Sequence, residues 1–193
     1  MITGRLHPLL FLACALCAAR GALAQADASS DLDPDADAQI RQWSGDGISV
    51  LVKPLAADPV RAFLLGRGFA SDRARSYASN CVFRVVLRYA ADAPMNYDLR
   101  NWRIESEGGR TLALKPREAW MQEWRAAPPN AAARMGFEFS QLPTRQTLAR
   151  GDTVLGMSAV ALAPGSRFDL VLNWTVSGKS RNATVEGIRC RAP

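Results

Sequence analysis

Three groups of side chains in this sequence have types and spacings that could do chemistry. The first is Trp120, Met121 and Trp124, where the tryptophans are four residues apart. On a helix that spacing puts them on one face, with Met121 beside them and Arg117, Glu123 and Arg125 as a polar rim. Exposed, such a cluster suits a partner peptide, a sugar or a soft metal, because Trp and Met bring much contact area. Turned inward, it plugs one end of a sheet domain. The second group is Asp98, Arg100 and Arg103, in the run Tyr97-Asp98-Leu99-Arg100-Asn101-Trp102-Arg103. On a bulged strand these charges could read a partner's edge or a carboxylate; they would equally guard an edge strand against sheet-to-sheet association. The third is the methionine set Met95, Met121, Met135 and Met157. Thioether sulfur suits copper(I), although these four are widely spaced, with no M-x-M or M-x-x-M run.

Other chemistries are closed off by what is missing. The one histidine, His7, lies in an N-terminal stretch that reads as a signal peptide, so the mature chain has no imidazole for a Ser-His-Asp or Cys-His arrangement or a metal site. No G-x-S-x-G, phosphate-binding glycine loop or calcium loop occurs. A hydrolase would have to rest on carboxylates. Glu118 and Glu123 are five apart, hence on different helix faces, and do not form an acid/base pair. No metal set is assigned and no cofactor is implied.

The signal peptide spans residues 1–24. Arg5 is its basic head, Leu9 to Ala19 its apolar run, and Ala22-Leu23-Ala24 its small-x-small cleavage site, leaving Gln25 as the mature start. The run falls short of the ~20 residues that a membrane-spanning helix needs, so no transmembrane segment is expected after cleavage. Cys14 and Cys17 leave with the signal, and the remaining pair, Cys81 and Cys190, is expected to be a disulfide in an oxidising compartment. The 24 basic residues less Arg5 and Arg20 leave 22 against 18 acids, a mature net charge of +4. Residues 25–46 read as an acidic flexible arm, with Asp27, Asp31, Asp33, Asp35 and Asp37 in its first part. From Arg41 onward 22 basic residues face 13 acids, a net charge of +9. No Arg/Lys block exceeds two residues, so no nucleic-acid footprint is indicated.

Residues 47–193 read as one domain. The clearest signal is the stretch Leu162–Trp174: after the Pro164-Gly165 turn, Phe168, Leu170, Leu172 and Trp174 alternate with Arg167, Asp169 and Asn173. Asn173 should therefore be solvated and its loss nearly silent. Cys81 to Tyr89 alternates in the same way, and Gly47 to Lys53 makes a further strand. Tyr97 to Ile104 slips phase, and a bulge near Arg100-Asn101 would bring Tyr97, Leu99, Trp102 and Ile104 to one face. Gly108-Gly109 turns a hairpin into Arg110–Leu114. Arg134 to Phe139 reads as a strand with Met135, Phe137 and Phe139 inward; Val154 to Leu162 and Ala183 to Cys190, bulged at Gly187, complete the set. Short helices start at Asp58-Pro59, Ser71 and Lys115-Pro116, with Asp58 and Ser71 as caps.

Many short strands with Gly/Pro turns predict a mainly β fold, an antiparallel β-sandwich with two or three short helices in the connections. In broad outline it is like an immunoglobulin-type domain, although the spacing of cysteines and tryptophans departs from that pattern. A patterned sheet domain without a catalytic set favours an exported, periplasmic, non-catalytic interaction module whose partner is another periplasmic or envelope protein. A copper(I)-handling protein using methionines and a carboxylate-based hydrolase are the alternatives.

Overall fold

The structure, a computed structural model, describes residues 39–192. The signal-peptide features and residues 25–38 of the acidic arm lie outside the described residues. The fold is mostly β: two antiparallel sheets and four short helices. In the first sheet β1 (Arg41–Gly45), β2 (Ile48–Pro54), β3 (Cys81–Tyr89) and β8 (Thr153–Val160) lie in that spatial order. The second holds β4 (Met95–Asp98), β5 (Arg103–Ser106), β6 (Thr111–Ala113), β7 (Arg145–Leu148), β9 (Arg167–Val176) and β10 (Lys179–Arg189), and β9 and β10 pair along almost their whole length. The immunoglobulin-like outline holds at the level of two packed antiparallel sheets; the strand orders are the chain's own.

Alternation builds the core between the sheets. Cys81, Phe83, Val85, Leu87 and Tyr89 of β3 point inward and are buried, while Arg84 and Arg88 are exposed. From the second sheet Phe168, Leu170, Leu172 and Trp174 meet them, all buried as their spacing predicts. Gly187 sits at a positive φ of 66° where the β9–β10 register shifts between Val185 and Ile188, the expected bulge. It keeps Val185, Ile188 and Cys190 all inward. Cys190 then reaches Cys81, with 5.3 Å between their Cα atoms, and the disulfide fastens one sheet to the other. Closing a loop of this length stabilises by up to about 4.7 kcal/mol in the chain-entropy model.

A second apolar layer lies on the outer face of the first sheet. Helices α1 (Ala57–Leu65), α2 (Ser71–Ala78), α3 (Arg117–Glu123) and α4 (Ala131–Ser140), with the 3-10 turn Trp124–Ala126 that follows α3, bury Val60, Leu64, Ala74, Tyr77, Trp120, Trp124 and Phe137 against Val82, Met157 and Ala159. Tyr77 centres this layer. Its ring meets Trp120 and Phe137 edge-on at 4.9 and 5.3 Å, and its hydroxyl donates to Gln141 Oε1 at 2.8 Å.

The structure corrects several expectations. Arg134–Phe139 is not a strand but most of α4, a fourth helix. Asn130, directly after Pro128-Pro129, caps it by accepting from the Ala133 amide at 2.8 Å. Ala133 and Phe137, four apart, are buried, whereas Met135 and Phe139 are 57% and 82% exposed. The period-two run of large side chains there is a coincidence of the helix surface. The arm expected to reach residue 46 gives way to the sheet at Arg41, because Asp46-Gly47, both at positive φ, turn a tight hairpin that pairs Gly45 with Ile48. Asp58 and Ser71 are not caps: Ala56 and Ala70 hold those positions, and Asp58 in the first turn pairs with Arg61 at 3.0 Å.

The phase slip at Tyr97–Ile104 is larger than a bulge. β4 and β5 lie along the same edge of β9, Tyr97 opposite Trp174 and Arg103 opposite Val171, with the residues between them looped out in a 3-10 turn, Leu99–Asn101. Tyr97, Leu99, Trp102 and Ile104 do all reach the core.

Candidate interaction face

The helices cover only part of the first sheet's outer face. Across the rest, the register aligns Gln42, Leu51, Val86 and Leu155 in one row from β1 to β8. The flanking rows are Lys53–Arg84–Met157 and Ser49–Arg88–Thr153. An apolar stripe is thus framed by Arg84 and Arg88. Leu155 is 61% exposed. Phe139 projects beside it from the last turn of α4.

Two adjoining grooves open where this stripe meets the helices, and both are lined by Phe63, Arg84 and Met157. The larger, about 490 Å³, runs over Pro54, Leu55, Pro59 and Val60 and carries Lys53 and Arg191 at its rim. The smaller, about 310 Å³, adds Arg67, Phe139 and Leu155. Arg67 spans the helices: its guanidinium lies 3.4 Å from the centre of the Phe63 ring, and its Nη1 donates to the Phe63 carbonyl at 3.2 Å. Gly136 lets it pass, since a Cβ there would sit 3.1 Å from Arg67 Cδ. Every charged residue lining the two grooves among the described residues is basic.

The sheet edge here is also open. β8 is an outer strand, and Thr-Val-Leu-Gly-Met-Ser-Ala-Val carries no charge along its length. After α4 the chain crosses its later half, where Leu142 N donates to the Met157 carbonyl at 2.9 Å. Gly156 accommodates that crossing, because a Cβ would fall 2.2 Å from Leu142 N. Among the described residues no strand pairs with the outer edge of β8 around Leu155. Exposed edges are ordinarily blunted by charge or proline; this one is not.

The residues singled out from sequence fall elsewhere. Trp120 and Trp124 are buried in the helical layer, their rings tilted against each other at 5.6 Å, and so are not presented as a platform. Lys115 covers the Trp120 ring at 3.6 Å. Met121, at the edge of that layer, lines a surface groove with Arg117, Glu118, Gln122 and Glu138. Asp98, Arg100 and Arg103 do come together, but on one another. Asp98 Oδ1 accepts from the Arg100 amide at 3.0 Å and from its Nε at 2.9 Å, and Oδ2 accepts from Arg145 Nε at 2.9 Å. Arg100 holds the Asp98 carboxyl well below the usual carboxylate range, with Arg145 adding to the effect against partial burial. Arg103 Nη1 donates to the carbonyls of Arg100 and Trp102. The trio fastens the 3-10 turn.

The methionines do not share one layer: Met95 belongs to the core between the sheets and Met157 to the helical layer, while Met135 is exposed. Among the described residues no group of three or more His, Cys, Asp or Glu is arranged to hold a metal ion. Glu118 and Glu138 line one open groove. Burial pushes the Glu118 carboxyl up, yet bonds from Thr144, the backbone and Arg117 outweigh it and hold the group below its ordinary value. That is opposite to the raised pKa a catalytic acid needs.

No family model matches the chain, and no curated protein matches it in sequence. Among solved structures it is similar to ycdA, a candidate lipoprotein of Bacillus subtilis, with a TM-score of 0.41 and 13% identity over 76% of this chain. The chain spans 38% of the length of that protein. It is also similar to yjhA of Bacillus subtilis, with a TM-score of 0.39 and 9% identity over 68% of this chain and 76% of that one. A DUF4426-family protein of Pseudomonas aeruginosa gives a TM-score of 0.37 and 7% identity over 81% of this chain and 98% of that one. No helix among the described residues is long and apolar enough to cross a membrane.

Proposed function

We propose that this chain is an exported, non-catalytic interaction module that docks another periplasmic or envelope protein on the outer face of its first sheet. Export is supported by the signal-peptide pattern before Gln25 and by the Cys81–Cys190 disulfide, a bond that persists in oxidising compartments. The observation that carries docking is the coincidence, on one face, of an uncharged open strand, the Leu51–Val86–Leu155 row and the 82% exposed Phe139. Contiguous apolar patches on a monomer mark contact surfaces. Burying a side chain such as Leu155, Phe139 or Met135 contributes about 1.5–3 kcal/mol, and association costs about 4–15 kcal/mol. The three together fall near break-even, so a stable complex also needs the strand edge and the arginines. An added partner strand would take up the free backbone groups of β8.

The test is affinity purification from an envelope extract with the wild-type chain, Leu155→Glu and Arg110→Glu as baits. Proteins retained by wild type and Arg110→Glu but lost with Leu155→Glu, at matched melting temperatures, support the reading. Identical sets from all three baits would refute it.

A further inference from the structure

The larger groove on this face has the chemistry of a site for a small amphiphile with an anionic head. Leu55, Val60, Phe63 and Met157 make an apolar floor between α1 and the first sheet. Its charged residues come from three parts of the chain, Lys53 in β2, Arg84 in β3 and Arg191 beyond β10, and all are basic among the described residues. The register sets Lys53 directly opposite Arg84. Like charges facing each other across two strands weigh against the sheet, and an anion seated between them turns that repulsion into attraction. Arg84 is exposed, lines both grooves, and makes no ion pair among the described residues.

Size and charge narrow the ligand. At about 490 Å³, adjoining the further 310 Å³ that shares Phe63, Arg84 and Met157, the groove is on the scale of a small-molecule site, about 300–1,000 Å³. A second copy of the chain would bring like charges together, since the body from Arg41 carries +9. A neutral sugar would leave the cations unused and meet an apolar floor. An alkyl chain ending in a carboxylate uses both features. Its methylenes gain by leaving water, and a guanidinium holds a carboxylate through two parallel hydrogen bonds.

We propose that this groove binds a long-chain fatty acid, with its carboxylate on Arg84 beside Lys53 and its alkyl chain along Leu55, Val60, Phe63 and Met157. The site lies beside the Leu51–Val86–Leu155 row and does not depend on the docking role given to that row.

The test is a titration of the purified chain, residues 25–193, with laurate below its micelle concentration, followed through the methionine methyl signals by NMR. The Met157 signal should move and saturate, while Met95, in the core between the sheets, and the exposed Met135 should stay in place. Shortening the acid from twelve carbons to ten should weaken binding about four- to fifteenfold, the loss expected for two methylenes half or wholly buried. Arg84→Gln should weaken it about tenfold or more, as for a lost hydrogen bond to a charged group, and Arg84→Lys should restore part of the loss. Dodecyltrimethylammonium, with the same chain and the opposite charge, needs no substitution and should bind the wild type about tenfold more weakly than laurate, or worse. Equal affinity for the two amphiphiles would overturn the proposal, as would a Met157 signal that stays still while laurate binds. A Met157 signal that moves with protein concentration instead would place a second copy in the groove and overturn it too. Preference for lauroyl-lysophosphatidylglycerol over laurate would overturn the fatty-acid assignment in favour of a phosphodiester headgroup.

Discussion

The indole Nε1 of Trp102 donates to the backbone carbonyl of Asn173 at 3.0 Å, across the break between β4 and β5. A continuous neighbouring strand would have filled that carbonyl. The Asn173 side chain answers by donating Nδ2 to the Asn101 carbonyl at 2.8 Å. Two reciprocal side-chain bonds thus substitute for the ladder that the 3-10 turn interrupts. Asn173, expected from its alternation to be merely solvated, is part of this closure. Trp102→Phe keeps an aromatic ring against Tyr97, 5.4 Å away, but removes the donor together with part of the buried indole volume. It should cost at least about 1–3 kcal/mol, the penalty of the unsatisfied acceptor with a cavity added to it, and Asn173→Ala about 1 kcal/mol. Urea unfolding midpoints measure both, and two silent substitutions would show that the break needs no closure.

Phe137 and Phe139 separate the helix from the strand that sequence suggested. On a strand both would point the same way; in α4 Phe137 is fully buried and Phe139 is 82% exposed. Phe137→Ala should lose about 3–5 kcal/mol, while Phe139→Ala should stay within about 0.5 kcal/mol. Equal losses by chemical denaturation would restore the strand.

What was legible in the sequence was whatever one strand or one turn encodes by itself. β3 and β9 show their buried faces through period two, and Gly187 marks its bulge because few other residues take its backbone conformation. Within α4, Met135, Phe137 and Phe139 imitate the alternation of a strand, although Asn130 after two prolines is a helix-start signal. Asp46-Gly47 and Ser177-Gly178 are likewise hairpin signals, for the β1–β2 and β9–β10 turns. The interaction face was not legible. Leu51, Val86 and Leu155 sit on three strands, and only the pairing register aligns them. Nor does any local pattern say that the helices stop short of that row.

Asp98 gives the acid side of the stability curve a definite sign. Its carboxyl is held well below the ordinary range in the folded state, by Arg100 first and Arg145 as well. The associated stability is therefore present above the unfolded value near 3.9 and is lost as pH falls through the lower folded value. Asp98→Asn should be less stable than wild type at pH 7, and the difference should shrink progressively below about pH 4. Unfolding midpoints of the two proteins across that range measure it; a gap that stays constant would mean that Asp98 acts only through neutral hydrogen bonds.

The docking role of the first sheet's outer face is tested most directly by photo-cross-linking in the living cell from positions 155 and 139, with Arg110, in the exposed β5–β6 loop, as control. The account predicts discrete adducts heavier than the monomer from Leu155 and Phe139 that are missing from Arg110, and that weaken when Arg84→Glu is added. No heavy adduct from either position, or the same ladder from all three, would contradict it.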